Sequence, residues 1–307
     1  MASGRDLVPP KEKKPKANPQ LVVFANPKYE NKPPTLAVVT RDVGETTLRS
    51  AERNDFRAPL NLSPLPGTQK EADYLEDKAP GWKLEPRIFV EDEAVERQLY
   101  QVDSPKVLHL ATHGMFLEKP PEPKKVSTGV LGRINQRKDF IGRLQNPMQR
   151  SALMFTGATW TSEQWAKGAT PDTANDGILT AAEVGTLNLK GTQLVVMSAC
   201  QTGLGDLRSG EGVMGLRRAF IQAGAQNLLM TLWPVSDHYT VQFMKEFYER
   251  AMADGDAPES LAKVQTERLV KLRDVLGAKL AVQLAGPFIM SFHKEATGEE
   301  AADSAKE

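Results

Sequence analysis

Six short apolar runs, separated by longer amphipathic segments, constrain the fold of this chain more than any other feature of its sequence. The runs lie at residues 21–25, 87–90, 107–111, 152–156, 193–199 and 227–233. Several are apolar at consecutive positions, which is typical of strands covered on both faces of a parallel sheet. Helical spacing occupies residues 68–76, 93–101, 180–187, 212–223, 238–253 and 258–274. The alternation predicts an α/β fold in which helices cover both faces of a mostly parallel sheet.

Two of the predicted helices carry candidate N-terminal caps. Thr68 and Thr180 each stand at the start of a helical segment, and each is followed three residues later by a glutamate, Glu71 or Glu183. This is the spacing of a capping box, in which the threonine and the glutamate satisfy each other's backbone N–H groups. We therefore expect each helix to begin at its threonine.

Charged segments that are poor in apolar residues flank the alternating region. Residues 1–20 are rich in Lys and Pro, and residues 295–307 are acidic, so neither segment buries enough apolar surface to offset its ordering entropy. We expect a disordered basic leader at 1–20, one domain at 21–294 and a disordered acidic tail at 295–307. Residues 117–150 form a basic insertion in that domain, which is either a solvated loop or a segment for partner binding or processing.

Composition argues against several classes of protein. The chain of 307 residues carries 39 basic and 39 acidic side chains, so a formal net charge of zero gives no global attraction to nucleic acid or anionic membrane. Cys200 is the single cysteine, which excludes an intrachain disulfide. No apolar run approaches the roughly 18 residues that span a bilayer. We expect a cytoplasmic protein without membrane contact, metal or cofactor, which meets nucleic acid only indirectly.

Reactive side chains stand at the ends of two of the apolar runs. His113 comes after the run at 107–111, and Cys200 after the run at 193–199. If the two strands are neighbours in a parallel sheet, both side chains lie at the edge formed by the carboxyl ends of the strands. An imidazole beside a thiol takes its proton or stabilises the thiolate, and later protonates a leaving amine. The N–H groups of Gly114 and Cys200 are candidates for an oxyanion hole.

The same residues also have structural interpretations. A single cysteine in an apolar strand is commonly a small buried hydrophobic residue, and that interpretation of Cys200 stays open. The abrupt change to polar residues and glycine after Cys200 favours chemistry instead. His109, inside an apolar run, is expected to pack in or along the sheet.

Five sequence motifs follow one another in an order that points to a known family. They are HLATHG (109–114), DGILTAAEV (176–184), VVMSACQTGLG (195–205), GEGVMGLRRAFIQAGA (210–225) and LWPVSD (232–237). Together they resemble the CHAT domain family, the caspase-like peptidase domains related to separase. The upstream segment PLPGTQKEADYL (64–75), which contains Glu71, is similar to the start of that domain. The resemblance extends from about Leu21 to Phe292.

The resemblance implies a caspase-hemoglobinase-like sandwich with His113 and Cys200 as the catalytic dyad. Related separases bind a basic side chain before the scissile bond through an acidic residue, and Asp237 matches that residue here. Asp237 is also a candidate N-cap for the helix that begins near residue 238. Glu211 is a second acidic candidate for substrate binding, with loop ordering as its alternative.

One departure from caspases proper concerns the cysteine motif. Caspases carry Gln before the Ala of that motif, whereas Ser198 precedes Ala199 here, so a caspase-type preference for Asp is not expected. The basic insertion at 117–150 also matches no part of the family.

The sequence therefore predicts a regulated cysteine endopeptidase that cleaves a protein substrate, with Lys or Arg before the scissile bond. The resemblance further suggests a bacterial defence or cell-death pathway, controlled by a regulatory partner protein or an upstream sensor domain. One alternative is a catalytically silent caspase-like interaction module. Another is a cysteine hydrolase that acts on a non-peptide amide.

Overall fold

A computed structural model of the chain describes residues 17–34, 59–116, 148, 150–169, 175–198 and 211–292, with residues 211–213 described by their backbone alone. The strands are β1 (Asn18–Pro27), β2 (Glu85–Glu91), β3 (Pro105–Ala111), β4 (His113–Phe116), β5 (Ser151–Met154), β6 (Ile178–Thr180), β7 (Leu194–Met197), β8 (Asn227–Thr231) and β9 (Phe288–Phe292). The helices are α1 (Pro66–Lys78), α2 (Glu96–Leu99), α3 (Ala158–Ala166), α4 (Ala181–Val184), α5 (Glu211–Ala223), α6 (Asp237–Asp254), α7 (Ala257–Leu276) and α8 (Ala278–Ala285).

The largest sheet has six strands in the order β2-β1-β3-β7-β8-β9. The first five strands are parallel, and β9 pairs antiparallel with β8 at one edge. This confirms the predicted α/β fold with a mostly parallel sheet. β3 and β7, the strands that precede His113 and Cys200, are hydrogen-bonded neighbours.

A second, antiparallel sheet joins β4, β5 and β6. β4 begins at His113, with only Thr112 between it and the end of β3, so the chain changes sheets at this histidine. The apolar run at 152–156 supplies β5 of this small sheet and does not enter the parallel sheet. Apolar periodicity identifies a buried strand but not the sheet that it joins, which is why the sequence did not separate the two sheets.

Alternating residues of β1 face two different cores. Leu21, Val23 and Ala25 belong to the core that also contains buried residues of α1, α6 and α7. Val22 and Phe24 belong to the core shared with α4, α5 and β5. The central strands are therefore buried on both sides, as their continuous apolar runs predict.

Of the two predicted N-terminal caps, the one at Thr180 is confirmed and the one at Thr68 is wrong. Thr180 is the N-cap of α4, and it forms a complete capping box with Glu183. The cap predicted at Thr68 is wrong, because α1 begins at Pro66 after Leu65. Proline is favoured at the first helical position because its missing N–H would have no partner there. The N–H of the next residue, Gly67, is satisfied by the Asp237 carboxylate instead of by an N-cap side chain.

Other boundaries move as well. The helix predicted over 93–101 shortens to α2, and β1 begins at Asn18, within the last residues of the predicted leader. Most of the predicted basic insertion at 117–150 lies outside the described residues, as does the predicted tail. Its final residue, Arg150, is described and is buried, so the insertion is not solvated at that end. Across the described ranges, no helix combines the length and apolar character needed to cross a bilayer.

Candidate active site

His113 sits where the chain passes from the parallel sheet to the small antiparallel sheet. Thr112, between the two strands, anchors the crossing because its hydroxyl donates a hydrogen bond to the carbonyl oxygen of Met154. The Tyr29 hydroxyl lies 3.1 Å from the Thr112 hydroxyl, and the Tyr29 ring packs 5.1 Å from the His113 ring, centroid to centroid. His113 is buried, with 3% of its surface exposed. The histidine therefore has a fixed position on the carboxyl side of β3.

The hydrogen bonds of the imidazole define its tautomer. Nε2 of His113 lies 2.7 Å from the backbone carbonyl oxygen of Ser63. Because a carbonyl oxygen only accepts hydrogen bonds, Nε2 must carry the proton and donate it. In the neutral ring Nδ1 is then unprotonated, and it is buried with no hydrogen-bond partner among the described residues. A fixed imidazole with an unused basic nitrogen is the arrangement that a general base requires.

Burial keeps this imidazole neutral. Burial lowers the pKa of His113 below its ordinary value of 6.5, while the Ser63 carbonyl and the negative charge of Asp237 oppose that shift. Removing a cation from water is costly, and here the two favourable partners do not compensate for it fully. At neutral pH the ring is therefore able to accept a proton on Nδ1.

The predicted nucleophile, Cys200, lies outside the described residues, but the strand that leads to it is well defined. Leu110 of β3 pairs with Met197 of β7, and the Ser198 N–H donates to the Leu110 carbonyl at 3.0 Å. His113 and Cys200 each follow their member of this pair by three residues. Cys200 is two residues beyond Ser198, a span of about 7 Å at most in an extended chain.

Asp237 is the first residue of α6, but it is not the N-cap. That part of the prediction is wrong, because the Ser236 side chain accepts the hydrogen bond from the Tyr239 N–H. The Asp237 carboxylate instead accepts a hydrogen bond from the backbone N–H of Gly67, with Oδ2 and N separated by 2.5 Å. Its charge acts on His113, which places an acidic group in the electrostatic surroundings of the candidate base.

The other predicted site residues are described only in part. Gly114 lies in β4 opposite Leu153 of β5. Glu211 begins α5, and its side chain is outside the described residues. The roles of the Gly114 and Cys200 backbone N–H groups, and of Glu211, therefore remain predictions.

Sequence reasoning missed the contribution of the segment before α1. Ser63 acts through its backbone carbonyl, which no side-chain motif reveals. Glu71 was predicted to close a capping box, yet it is 2% exposed and its Oε1 accepts a hydrogen bond from the Ser198 hydroxyl at 3.1 Å. His109 is fully buried, as expected, but it touches polar groups of Glu71 and Tyr248. The available signal was that Glu71 lies in PLPGTQKEADYL, a segment that resembles the start of the family's domain.

Comparisons with known proteins give one family and two relatives. The sequence profile of the CHAT domain matches residues 1–290. Tetratricopeptide repeat protein 28 of Mus musculus is 37% identical over 86 residues, which are 28% of this chain and 3% of that protein. Tetratricopeptide repeat protein 28 of Homo sapiens is 35% identical over 95 residues, which are 30% of this chain and 4% of that protein. The similarity to these curated relatives thus spans only a small part of their length.

Proposed function

Because the chain belongs to the CHAT domain family, which is related to caspase-like proteases, we propose that it is a regulated cysteine endopeptidase with a His113–Cys200 dyad. The observation that carries the proposal is the state of His113. Its Nε2 is committed to the Ser63 carbonyl, and its Nδ1 is buried without a partner among the described residues. A buried polar atom without a hydrogen bond is costly, so such an atom is more readily explained by a function than by packing.

In the proposed mechanism, Nδ1 of His113 accepts the proton of the Cys200 thiol as the sulfur attacks the substrate carbonyl carbon. The N–H groups of Gly114 and Cys200 stabilise the oxyanion that forms. The imidazolium then gives its proton to the leaving amine, which leaves a thioester on Cys200. Water hydrolyses the thioester and regenerates the thiol. The Ser63 carbonyl stabilises the transient positive charge, because it holds the Nε2 proton throughout.

Asp237 is the proposed determinant of a basic residue before the scissile bond. A partly buried carboxylate at the edge of the site pairs with Lys or Arg and repels acidic side chains. Its electrostatic influence on His113 supports its placement near the reacting groups. Glu211 is proposed as a second acidic contact, and the fold is proposed to be the caspase-hemoglobinase sandwich.

A regulatory partner, or an upstream sensor domain, is proposed as the source of control. The two curated relatives are named for tetratricopeptide repeats, and the matched region is a small part of each. Such repeats stack into extended binding surfaces, which suits the sensing of a partner protein. The cytoplasmic location and the role in defence or cell death remain predictions.

A peptide-library cleavage profile tests the proposal. We expect cleavage after Lys or Arg by the wild-type chain, and its loss in Cys200→Ala and in His113→Ala. His238→Ala is the matched control. His238 is an exposed histidine one residue from Asp237, and its Nε2 lies 3.0 Å from the Gln242 side chain. Asp237→Asn should weaken the preference for basic residues.

Three results would contradict the proposal. Cleavage that survives in Cys200→Ala would exclude this thiol as the nucleophile. A biological effect that survives in Cys200→Ala, without cleavage by the wild type, would support the silent interaction module instead. Turnover of non-peptide amides alone would identify the other hydrolase.

A further inference from the structure

A buried polar network lies beneath the carboxyl end of β7. Glu71 of α1, His109 of β3, Tyr248 of α6 and Ser198 after β7 are all at most 4% exposed. The Ser198 hydroxyl donates to Oε1 of Glu71 at 3.1 Å, and Nδ1 of His109 shares a hydrogen bond of 3.0 Å with the Tyr248 hydroxyl. Nε2 of His109 lies 3.0 Å from Oε2 of Glu71, although the two atoms are not aligned as a hydrogen bond. Glu71 of α1, β3 and the end of β7 thus meet at one buried carboxyl group, and α6 joins the network through the hydrogen bond between Tyr248 and His109.

Burying the Glu71 carboxyl group costs more free energy than a purely structural residue would require. It lies in the core beside Ala72 and Leu75 of the same helix, where an unpaired carboxylate would be strongly disfavoured. Burial, and the nearby charge of Glu71, raise the pKa of Tyr248 well above its ordinary value, so that tyrosine stays a neutral phenol. An apolar side chain would fill this space without those costs.

Glu71 binds Ser198, which precedes Cys200 by two residues. Ser198 is the last described residue of that strand end, and it is fixed from two sides. Its N–H donates to Leu110 of β3, and its hydroxyl donates to Glu71. The position of Ser198 is therefore fixed jointly by the sheet and by α1.

The same short stretch of chain also reaches the other groups of the site. We call Ser63–Glu71 the α1 lead-in. Its first residue holds Nε2 of His113 through a carbonyl, and its Gly67 N–H holds the Asp237 carboxylate. Its last residue holds Ser198. One continuous segment thus contacts the base, the acidic group and the strand end before the nucleophile.

We propose that Glu71 is a positioning residue, which fixes the end of β7, two residues before Cys200, through its hydrogen bond with Ser198. The inference deepens the proposed function and rests on it for the role of Cys200. Displacement of the α1 lead-in would break the hydrogen bonds to Ser198 and to His113 together. A regulator that moves the α1 lead-in would therefore switch the site.

The test uses alkylation of Cys200 by iodoacetamide across a pH series, in the full chain. Cys200 is the only cysteine, so the rate reports on that thiol alone. We expect Glu71→Ala and Ser198→Ala each to slow alkylation at pH 7 by about three- to tenfold, and to move the profile toward that of a free thiol. Because both changes remove one contact, the double variant should be no slower than the slower single variant. Glu71→Gln keeps an oxygen acceptor for Ser198 and should recover part of the rate.

Two further variants separate positioning from general loss of stability. Glu96→Gln is the matched control, since Glu96 is a fully buried glutamate of α2 that accepts a hydrogen bond from Tyr100. It should leave the alkylation profile unchanged even where it lowers the unfolding midpoint. In a His113→Ala background, Glu71→Ala should no longer shift the profile, because no base remains to be aligned.

The outcomes distinguish this inference from the proposed function. A wild-type profile in Glu71→Ala or in Ser198→Ala would overturn the positioning role, whatever the peptidase activity. An equal shift in Glu96→Gln would overturn it too, because the effect would then follow stability. Absence of peptide cleavage by the wild type, with these shifts intact, would count against the peptidase and leave the positioning contact standing. If Glu71→Ala fails to fold, Ser198→Ala and Glu71→Gln carry the same test.

Discussion

The contact between Gly67 and Asp237 gives the sharpest energetic prediction. A Cβ built on Gly67 would lie 2.5 Å from Oδ1 of Asp237, and closer still to Cγ and Oδ2. Ordinary contacts between such atoms are about 3.5 Å, so Gly67→Ala must push the carboxyl group away by about 1 Å. That movement breaks the hydrogen bond between the Gly67 N–H and Oδ2, whose length is 2.5 Å.

The expected magnitude follows from two opposing effects. A hydrogen bond to a charged group contributes about 1.5–3 kcal/mol. Alanine is favoured over glycine in a helix by up to about 1 kcal/mol, and Gly67 does not have the positive φ that would cancel this gain. We therefore expect Gly67→Ala to lower the free energy of unfolding by about 0.5–2 kcal/mol.

The effect of Gly67→Ala on the free energy of unfolding should change sign when the Asp237 carboxyl group is absent. In an Asp237→Ala background nothing remains for the new methyl group to displace, so Gly67→Ala should raise the free energy of unfolding by up to about 1 kcal/mol. Urea unfolding of the four chains at pH 7 measures both changes and their coupling. An equal loss in both backgrounds, or a gain in the wild-type background, would refute this account of the contact.

Three further predictions concern the capping box, the core and pH. Thr180→Ala removes the cap that bonds Glu183 and should cost about 0.5–2 kcal/mol in urea unfolding, whereas an unchanged midpoint would contradict it. Phe243→Ala removes a buried ring stacked 3.7 Å from that of Phe288 and should cost about 3–5 kcal/mol; a loss below 1 kcal/mol would mean that the site collapses freely. Burial lowers the pKa of His113, so the unfolded chain binds more protons below pH 6.5 and stability falls as the pH drops through that value. His113→Gln should lose less stability than the wild type between pH 7 and pH 5, and equal losses would argue against a buried neutral imidazole.

The parallel sheet was predictable because its strands are buried on both faces. A residue covered on both sides must be apolar whichever way it points, so β1, β3, β7 and β8 stand out as continuous apolar runs. The capping box at Thr180 was predictable for a similar reason, since the motif satisfies its own backbone groups locally. Where burial or local bonding decides the structure, sequence pattern is sufficient.

Contacts over long sequence separations escaped prediction. The chain changes sheets at His113 because β4 pairs with β5. Gly114 pairs with Leu153, 39 residues further along the chain, and no local pattern encodes that pairing. Glu71 has the spacing of a capping residue, but Pro66 starts the helix and the carboxylate turns inward to Ser198. The Ser63 carbonyl belongs to the backbone, so its role depends on position alone.

The pH profile of Cys200 alkylation in the wild type and in His113→Ala tests the central claim most directly, since it requires neither substrate nor activator. The account predicts that the wild-type midpoint lies at least about one pH unit below that of His113→Ala, which should approach the ordinary thiol value near 8.5. Superimposable profiles, both near 8.5, would mean that the imidazole does not reach the sulfur, and the proposed dyad would be wrong.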